Sequence, residues 1–182
     1  MPLIHQQDPS FGKNYAMKIP IMIALLSFLS MGLHAQSAAS DLDFWIGEWD
    51  LKWADSDTSF GYGTNSIQRT LADQVIQENF QILAGDNAGF LGKSWSVFDA
   101  RTKAWRQTWV DSQGSYLDFT GEPTPEGFVF QRAALFPNGK KGLQKMVFYD
   151  ITHDAFTWDW MRSTDGGETW ILAWRIWYTR KK

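Results

Sequence analysis

From Asp41 onward, short runs of alternating apolar and polar residues are separated by turn-forming clusters about every ten residues. A period of two puts successive side chains on opposite faces of a strand, so each run reads as a half-buried strand rather than a helix. About ten strands are expected, over residues 46–54, 61–70, 74–82, 90–99, 104–111, 115–121, 127–136, 143–151, 155–163 and 169–179. Between them, Ser112-Gln113-Gly114-Ser115, Thr124-Pro125-Glu126-Gly127, Pro137-Asn138-Gly139-Lys140 and Thr164-Asp165-Gly166-Gly167 supply the Gly, Asn and Pro that hairpin turns use. Strand after strand with tight reversals predicts an all-β, antiparallel up-and-down barrel or sandwich, and the ten-strand count favours the barrel.

One segment is ambiguous. Ile67, Leu71, Val75, Glu78 and Ile82 also fit a helical period, but the flanking strands favour a hairpin. That reading makes Leu71–Ile76 a tight reversal and sets Ile67 opposite Phe80 and Arg69 opposite Glu78. A short helical turn is expected at Ser40–Phe44, with Ser40 or Asp41 capping it and Leu42 and Phe44 closing one barrel end.

The first forty residues have a different pattern. Met17-Lys18 precedes a largely apolar stretch from Ile21 to Leu33, then Leu33-His34-Ala35 with small or apolar residues at a cleavage point. This is the layout of a signal peptide over 17–35, cut after Ala35, and its apolar run is shorter than the ~20 residues of a permanent span. The polar lead 1–16 fits a start codon placed upstream of Met17, 36–40 is a linker, and 41–182 is expected to be one domain. The protein is therefore expected to be exported, to the periplasm or beyond, with no membrane span in its mature form.

Composition changes the picture in two ways. The chain carries 11 Trp, 13 Phe and 5 Tyr, so large rings must fill much of the interior. The net charge is −3, and removing Met1–Gln36, with Lys13, Lys18 and Asp8, leaves 15 basic against 19 acidic residues. A mildly acidic domain whose only dense basic run is Arg180-Lys181-Lys182 argues against nucleic acid as a partner. With no cysteine, disulfides, thiolate chemistry and Cys-ligated metals are excluded.

Four motifs, Phe44-Trp45-Ile46-Gly47-Glu48-Trp49, Phe90-Leu91-Gly92-Lys93-Ser94, Trp105-Arg106-Gln107-Thr108-Trp109-Val110-Asp111 and Ser163-Thr164-Asp165-Gly166-Gly167-Glu168-Thr169-Trp170, resemble a family of exported bacterial calycin-like barrels with no established activity. The resemblance covers nearly all of 41–180. More distantly, the opening Gly-x-Trp-type strand is similar to those of nitrobindin and the lipocalin and fatty-acid-binding barrels, which implies a closed barrel with a ligand-sized interior. Nitrobindin-like haem binding would need a proximal histidine on a late strand. The domain's one histidine, His153, lies between two predicted strands and reads as an exposed turn residue, so no cofactor is expected. Ser163-x-Asp165-x-Gly167-x-x-Trp170 also matches the Asp-box of sialidase propellers, but a single copy reads as a capped hairpin with Trp170 packed beneath it.

Following one face through the simplest hairpin registers sets Ser96 opposite Gln107, Ser94 opposite Trp109, Gly92 opposite Asp111, Asp111 opposite Tyr116 and Trp109 opposite Asp118. Ile67, Ile76, Phe80, Phe98, Trp105 and Trp109 share that face with Arg69, Glu78, Gln107 and Asp111. Polar groups converging in an apolar interior are what ligand pockets look like, because burying them unpaired costs ~2 kcal/mol or more each. An ion pair at the rim and backbone-satisfying side chains would explain the same residues. The faces of the last two strands stay ambiguous, with Trp158, Trp160 and Trp177 on one and Met161, Trp170 and Trp174 on the other.

Three functions follow. The first is a binding barrel for a small, mostly apolar or amphipathic ligand, with Phe80, Trp105 and Trp109 as wall and Arg69, Glu78, Ser96, Gln107, Asp111, Tyr116 and Asp118 as polar contacts. The second is a carboxylate-dependent isomerase, cyclase or hydratase using Glu78 with Asp111 or Asp118. The third is a structural or interaction module with a filled core, favoured if no interior cavity of ~300 Å³ or more exists. A Ser–His–acid triad, phosphate loops and dinucleotide fingerprints find no support in the residues present.

Overall fold

Alternation of buried and exposed side chains runs through every strand of the computed structural model, which describes residues 40–137 and 139–182. Ten antiparallel strands follow in order: β1 Gly47–Ala54, β2 Phe60–Thr70, β3 Val75–Ala84, β4 Leu91–Asp99, β5 Ala104–Asp111, β6 Tyr116–Thr124, β7 Gly127–Leu135, β8 Lys141–Tyr149, β9 Ala155–Ser163 and β10 Ile171–Arg180. Each pairs with its neighbour in sequence and β1 pairs with β10, so the sheet closes into an up-and-down barrel. The strands expected from the sequence all form, within a few residues of their expected ends, and 67–82 is a hairpin. The leader expected at 17–35, with residues 1–16 and 36–39, lies outside the described residues. Among those described, no helix is long and apolar enough to cross a membrane.

One end of the barrel is plugged. A single 3-10 turn, Asp43–Trp45, precedes β1 and drops Leu42 and Trp45 into the interior at 0 % and 2 % exposure. Leu42 takes the N-cap position without a side-chain cap, and the carboxylate of Asp41 instead accepts the indole N–H of Trp105 at 3.2 Å. Beneath the turn, rings from β1, β7, β8 and β9 meet edge to face. Trp45 packs on Phe148 at 5.5 Å, Trp49 on Phe156 at 4.9 Å, and Phe156 stacks on Tyr178 at 4.2 Å. Such pairs contribute ~0.5–1.5 kcal/mol each beyond area burial. Arg180 fastens the plug by donating to the carbonyls of Ile46 (2.9 Å), His153 (2.7 Å) and Phe44 (3.4 Å) while lying over the Trp49 ring.

The opposite end is parted. β6 and β7 pair only through Thr120–Thr124 against Gly127–Gln131, and β1 and β10 only through Trp49–Lys52 against Trp177–Arg180. Beyond those positions both seams run without ladder partners toward the same end.

Three registers depart from the expected ones. The β2–β3 hairpin turns at Leu71–Gln74, where Leu71, Ala72 and Asp73 all adopt positive φ, and Val75 and Ile76 already belong to β3. Ile67 therefore faces Glu78, Asn65 faces Phe80 and Arg69 faces Ile76. A two-residue slip keeps every side chain on its face but separates Arg69 from Glu78. The β5–β6 hairpin slips by one, setting Trp109 opposite Leu117 and Val110 opposite Tyr116, which turns Leu117 and Phe119 inward and Tyr116 and Asp118 outward. In β10 a bulge between Leu172 and Trp174 resets the parity. Trp174 thereby joins Trp158 and Trp160 inside, while Trp177 lies outside.

The Asp-box run is a capped hairpin. Ser163 Oγ donates to Asp165 Oδ1 at 2.6 Å and accepts the Gly167 N–H, and Asp165 accepts the Thr169 N–H at 3.0 Å. Trp170 lies beside Gly167, under the ammonium of Lys145. These hydrogen bonds, the one from Ser163 first, hold the Asp165 carboxyl well below the usual range.

Candidate functional site

The strand alternation that builds the core gives the two halves of the interior different chemistry. On β2, β3, β4 and β5 the inward positions include Gly61, Gly63, Asn65, Glu78, Gly92, Ser94, Ser96 and Gln107. On β6, β8, β9 and β10 they carry Leu117, Phe119, Met146, Phe148, Trp158, Trp160, Trp174, Ile176 and Tyr178. Small residues on the first half make room for rings. A Cβ at Gly92 would lie 2.1 Å from the Trp109 ring, and one at Gly61 would lie 2.2 Å from Trp53.

Between the halves lies a cavity of about 220 Å³. Its wall is aromatic, with Phe80, Phe90, Trp109, Trp158, Trp160 and Trp174 toward the parted end and Trp45 and Phe148 toward the plug. Trp158 and Trp160 stack nearly parallel, Trp174 meets Trp158 edge-on at 5.8 Å, and Phe80 contacts Trp109 and Trp174. Apart from Phe80, the rings at the parted end are only partly buried, which places the mouth there. The volume falls under the ~300 Å³ set above as the size below which a structural module with a filled core is favoured. It exceeds the ~150 Å³ apolar cavity known to hold benzene, so it suits one or two rings.

One carboxyl group reaches this wall, that of Glu78, at 7 % exposure. Asn65 Nδ2 donates to Oε1 and Ser94 Oγ to Oε2, both at 2.6 Å, and Asn65 Nδ2 also reaches the Tyr178 hydroxyl at 3.3 Å. Burial raises the Glu78 pKa above the usual range, although both hydrogen bonds oppose the shift. Burial, reinforced by the charge of Glu78, likewise raises the Tyr178 phenol and keeps it protonated. In the cavity wall the buried indole N–H of Trp45 has no partner within the chain; Oδ1 of Asn65, which is not part of the wall, has none either. Orphaned buried groups are rare because each forfeits ~1–3 kcal/mol of solvation.

The residues expected from sequence divide into three groups. Glu78, Phe80 and Trp109 line the cavity. Ser96 and Gln107 are buried on the same face but satisfy each other at 2.9 Å and stand outside the cavity wall, and Trp105 belongs to the plug. The rest are elsewhere. Arg69 pairs with Asp43 and the Asp73 carbonyl at the plugged end, not with Glu78. Asp111 caps the β5–β6 turn, accepting from Gln113 N, Ser115 N and Trp109 Nε1. Tyr116, 65 % exposed, and Asp118 project outward because of the one-residue slip. His153 sits in the β8–β9 turn with its side chain 86 % exposed and Nδ1 beside Asp154.

Sequence reasoning missed Asn65, Ser94 as a Glu78 partner, Tyr178, Trp45 and the Trp158–Trp160–Trp174 wall. Asn65 was open to detection, since it follows Gly61 and Gly63 on one face of a strand whose next inward residue is Ile67. A larger hollow of about 990 Å³ lies on the outer surface over the parted β6–β7 seam, bordered by Trp95, Val97, Arg106, Thr108, Asp118 and Arg132 among others. Its border is largely solvent-facing, whereas the cavity around Glu78 has buried polar groups and convergent rings, so the interior is the stronger site.

No protein-family model matches this chain, and no curated protein does. Among solved structures it is similar to a redesigned β-barrel, at 16 % identity over 80 % of this chain and 96 % of that one, with a TM-score of 0.38. A likeness that distant carries no functional argument, and the barrel rests on its own closed strand order.

Proposed function

We propose that this protein is an exported binding barrel for a compact small molecule of one or two rings carrying at least one polar group. The observation that carries the reading is the ring-lined cavity with a buried, hydrogen-bonded carboxyl in its wall. A filled structural core would place an aliphatic residue at Glu78 at lower energetic cost. The unpartnered Trp45 N–H adds support, because a ligand oxygen would satisfy it. Export rests on the 17–35 leader pattern, and the calycin-like kinship on the four motifs.

The carboxylate-enzyme reading loses ground. It needs an aspartate beside Glu78, yet Asp111 is committed to a turn, Asp118 points outward, and the cavity wall contains no aspartate. A long-chain lipophile is also disfavoured by the volume.

Ligand-observed NMR with a panel of soluble one- and two-ring compounds tests the proposal. Binding that is lost when Leu117→Trp fills the mouth is expected. A panel that leaves the protein untouched, or binds Leu117→Trp equally well, would contradict it.

A further inference from the structure

Building on the binding reading, we infer that the ligand is an organic cation, a protonated amine or quaternary ammonium on a small ring or short alkyl frame. Glu78 is its counter-charge and the surrounding rings are its cage.

The first observation is the state of Glu78. It is a buried acid whose nearest partners are the neutral Asn65 and Ser94, and no Lys, Arg or His lies within salt-bridge distance of it among the described residues. The barrel's other buried acid, Asp159 at 5 % exposure, is held by Arg175 through two bonds of 2.7 Å. An isolated buried carboxylate is strongly unfavourable, and a cation that arrives with its ligand removes the penalty.

The second observation is independent of the carboxyl. Tryptophan, tyrosine and phenylalanine faces carry negative electrostatic potential and attract cations, tryptophan most strongly. Trp109, Trp158, Trp160 and Trp174 all border the cavity together with Phe80 and Tyr178. Carboxyl and ring faces share one sign. An acceptor-bearing neutral ligand would instead use the Trp45 N–H, and the two cases separate experimentally.

Isothermal titration of the purified protein at pH 7 with benzylamine, benzyl alcohol and benzoate compares a cation, a neutral molecule and an anion of nearly equal size. Benzylamine is expected to bind about tenfold or more tighter than benzyl alcohol, with benzoate weakest. Glu78→Gln is expected to erase the advantage of the cation, bringing the Kd values for benzylamine and benzyl alcohol to within about twofold of each other. Trp174→Leu, which leaves Glu78 in place, is expected to reduce that advantage. If benzyl alcohol or benzoate binds wild type as tightly as benzylamine, the cation inference fails while the binding reading stands. If none of the three binds, both fail. Preference for benzylamine that survives intact in both variants also overturns the inference.

Discussion

At the end closed by Asp43–Trp45, rings meet rings, Arg180 ties the turn to β1 and the β8–β9 turn, and Trp105 is bonded to Asp41. At the other end the same residue types stand partly exposed around a gap and two seams lose their ladders; between the ends the Glu78 carboxyl lies buried without a counter-charge. The difference is not composition, since tryptophan is plentiful at both. What separates the two ends is cover: the turn and Arg180 close over the rings of one, whereas most rings of the other stand partly exposed. The plugged end is covered and serves stability, with the Trp45 indole N–H left unpartnered, whereas the parted end is open to a ligand. That division is expected where function keeps a locally unfavourable arrangement.

The comparison breaks most directly at glycine positions that crowd a ring. At Gly121 a Cβ would meet the Phe130 ring at 2.5 Å and Phe128 at 2.8 Å, deep in the plugged half. Gly121→Ala is expected to destabilise by about 2–3 kcal/mol in urea unfolding, as overpacking of a tight core does. Gly92→Ala, which would meet Trp109 at 2.1 Å near the mouth, displaces a ring that can swing outward and is expected to cost about 1 kcal/mol or less. Equal losses in the two variants would dissolve the distinction between the ends.

Glu78 sharpens it from the opposite side. Because its pKa is raised in the folded state, the folded protein holds a proton that the unfolded chain releases above its ordinary value of 4.5. Its contribution to stability is therefore unfavourable, absent below that pH and growing as pH rises toward the folded value. Glu78→Gln is expected to raise the thermal midpoint at pH 7, by about 1–2 kcal/mol of stability, and to change it little at pH 4. A destabilised variant at pH 7 would mean that the carboxylate is integral to the fold.

The registers explain how much of this was legible in the sequence. Period-two alternation and turn residues revealed all ten strands because each strand has one buried face. Site geometry was less accessible, since it depends on loop lengths that alternation does not encode. Three consecutive positive-φ residues at Leu71–Asp73 advanced the β2–β3 turn, moving Glu78 from Arg69 to Ile67. The Asp111-capped turn shifted β6 by one, and the apolar Leu117 and Phe119 were the sign that they, not Tyr116 and Asp118, face inward. The bulge before Trp174 is a backbone event with no composition signature, so the tryptophan wall could not be assigned to one face beforehand.

A smaller effect is expected at the exposed β9–β10 turn, far from either distinction. Asp165 has a lowered folded pKa, so its support is present above the ordinary carboxyl range and is lost as pH falls through it toward the folded value. Asp165→Ala is expected to speed amide exchange at Gly167 and Thr169, with wild type approaching the variant as the carboxyl becomes protonated. Unchanged exchange would show that Ser163 and the glycines suffice for the turn.

The most direct test follows the indole N–H resonances of the 11 tryptophans during titration with benzylamine. A ligand entering the parted end and settling beside Glu78 shifts Trp45, Trp109, Trp158, Trp160 and Trp174. Trp49, bonded to the Trp45 carbonyl, Trp105 in the plug, and Trp95 and Trp177 on the outer surface stay in place. Shifts confined to Trp95 and Trp177, or no shifts at all, would contradict an interior site.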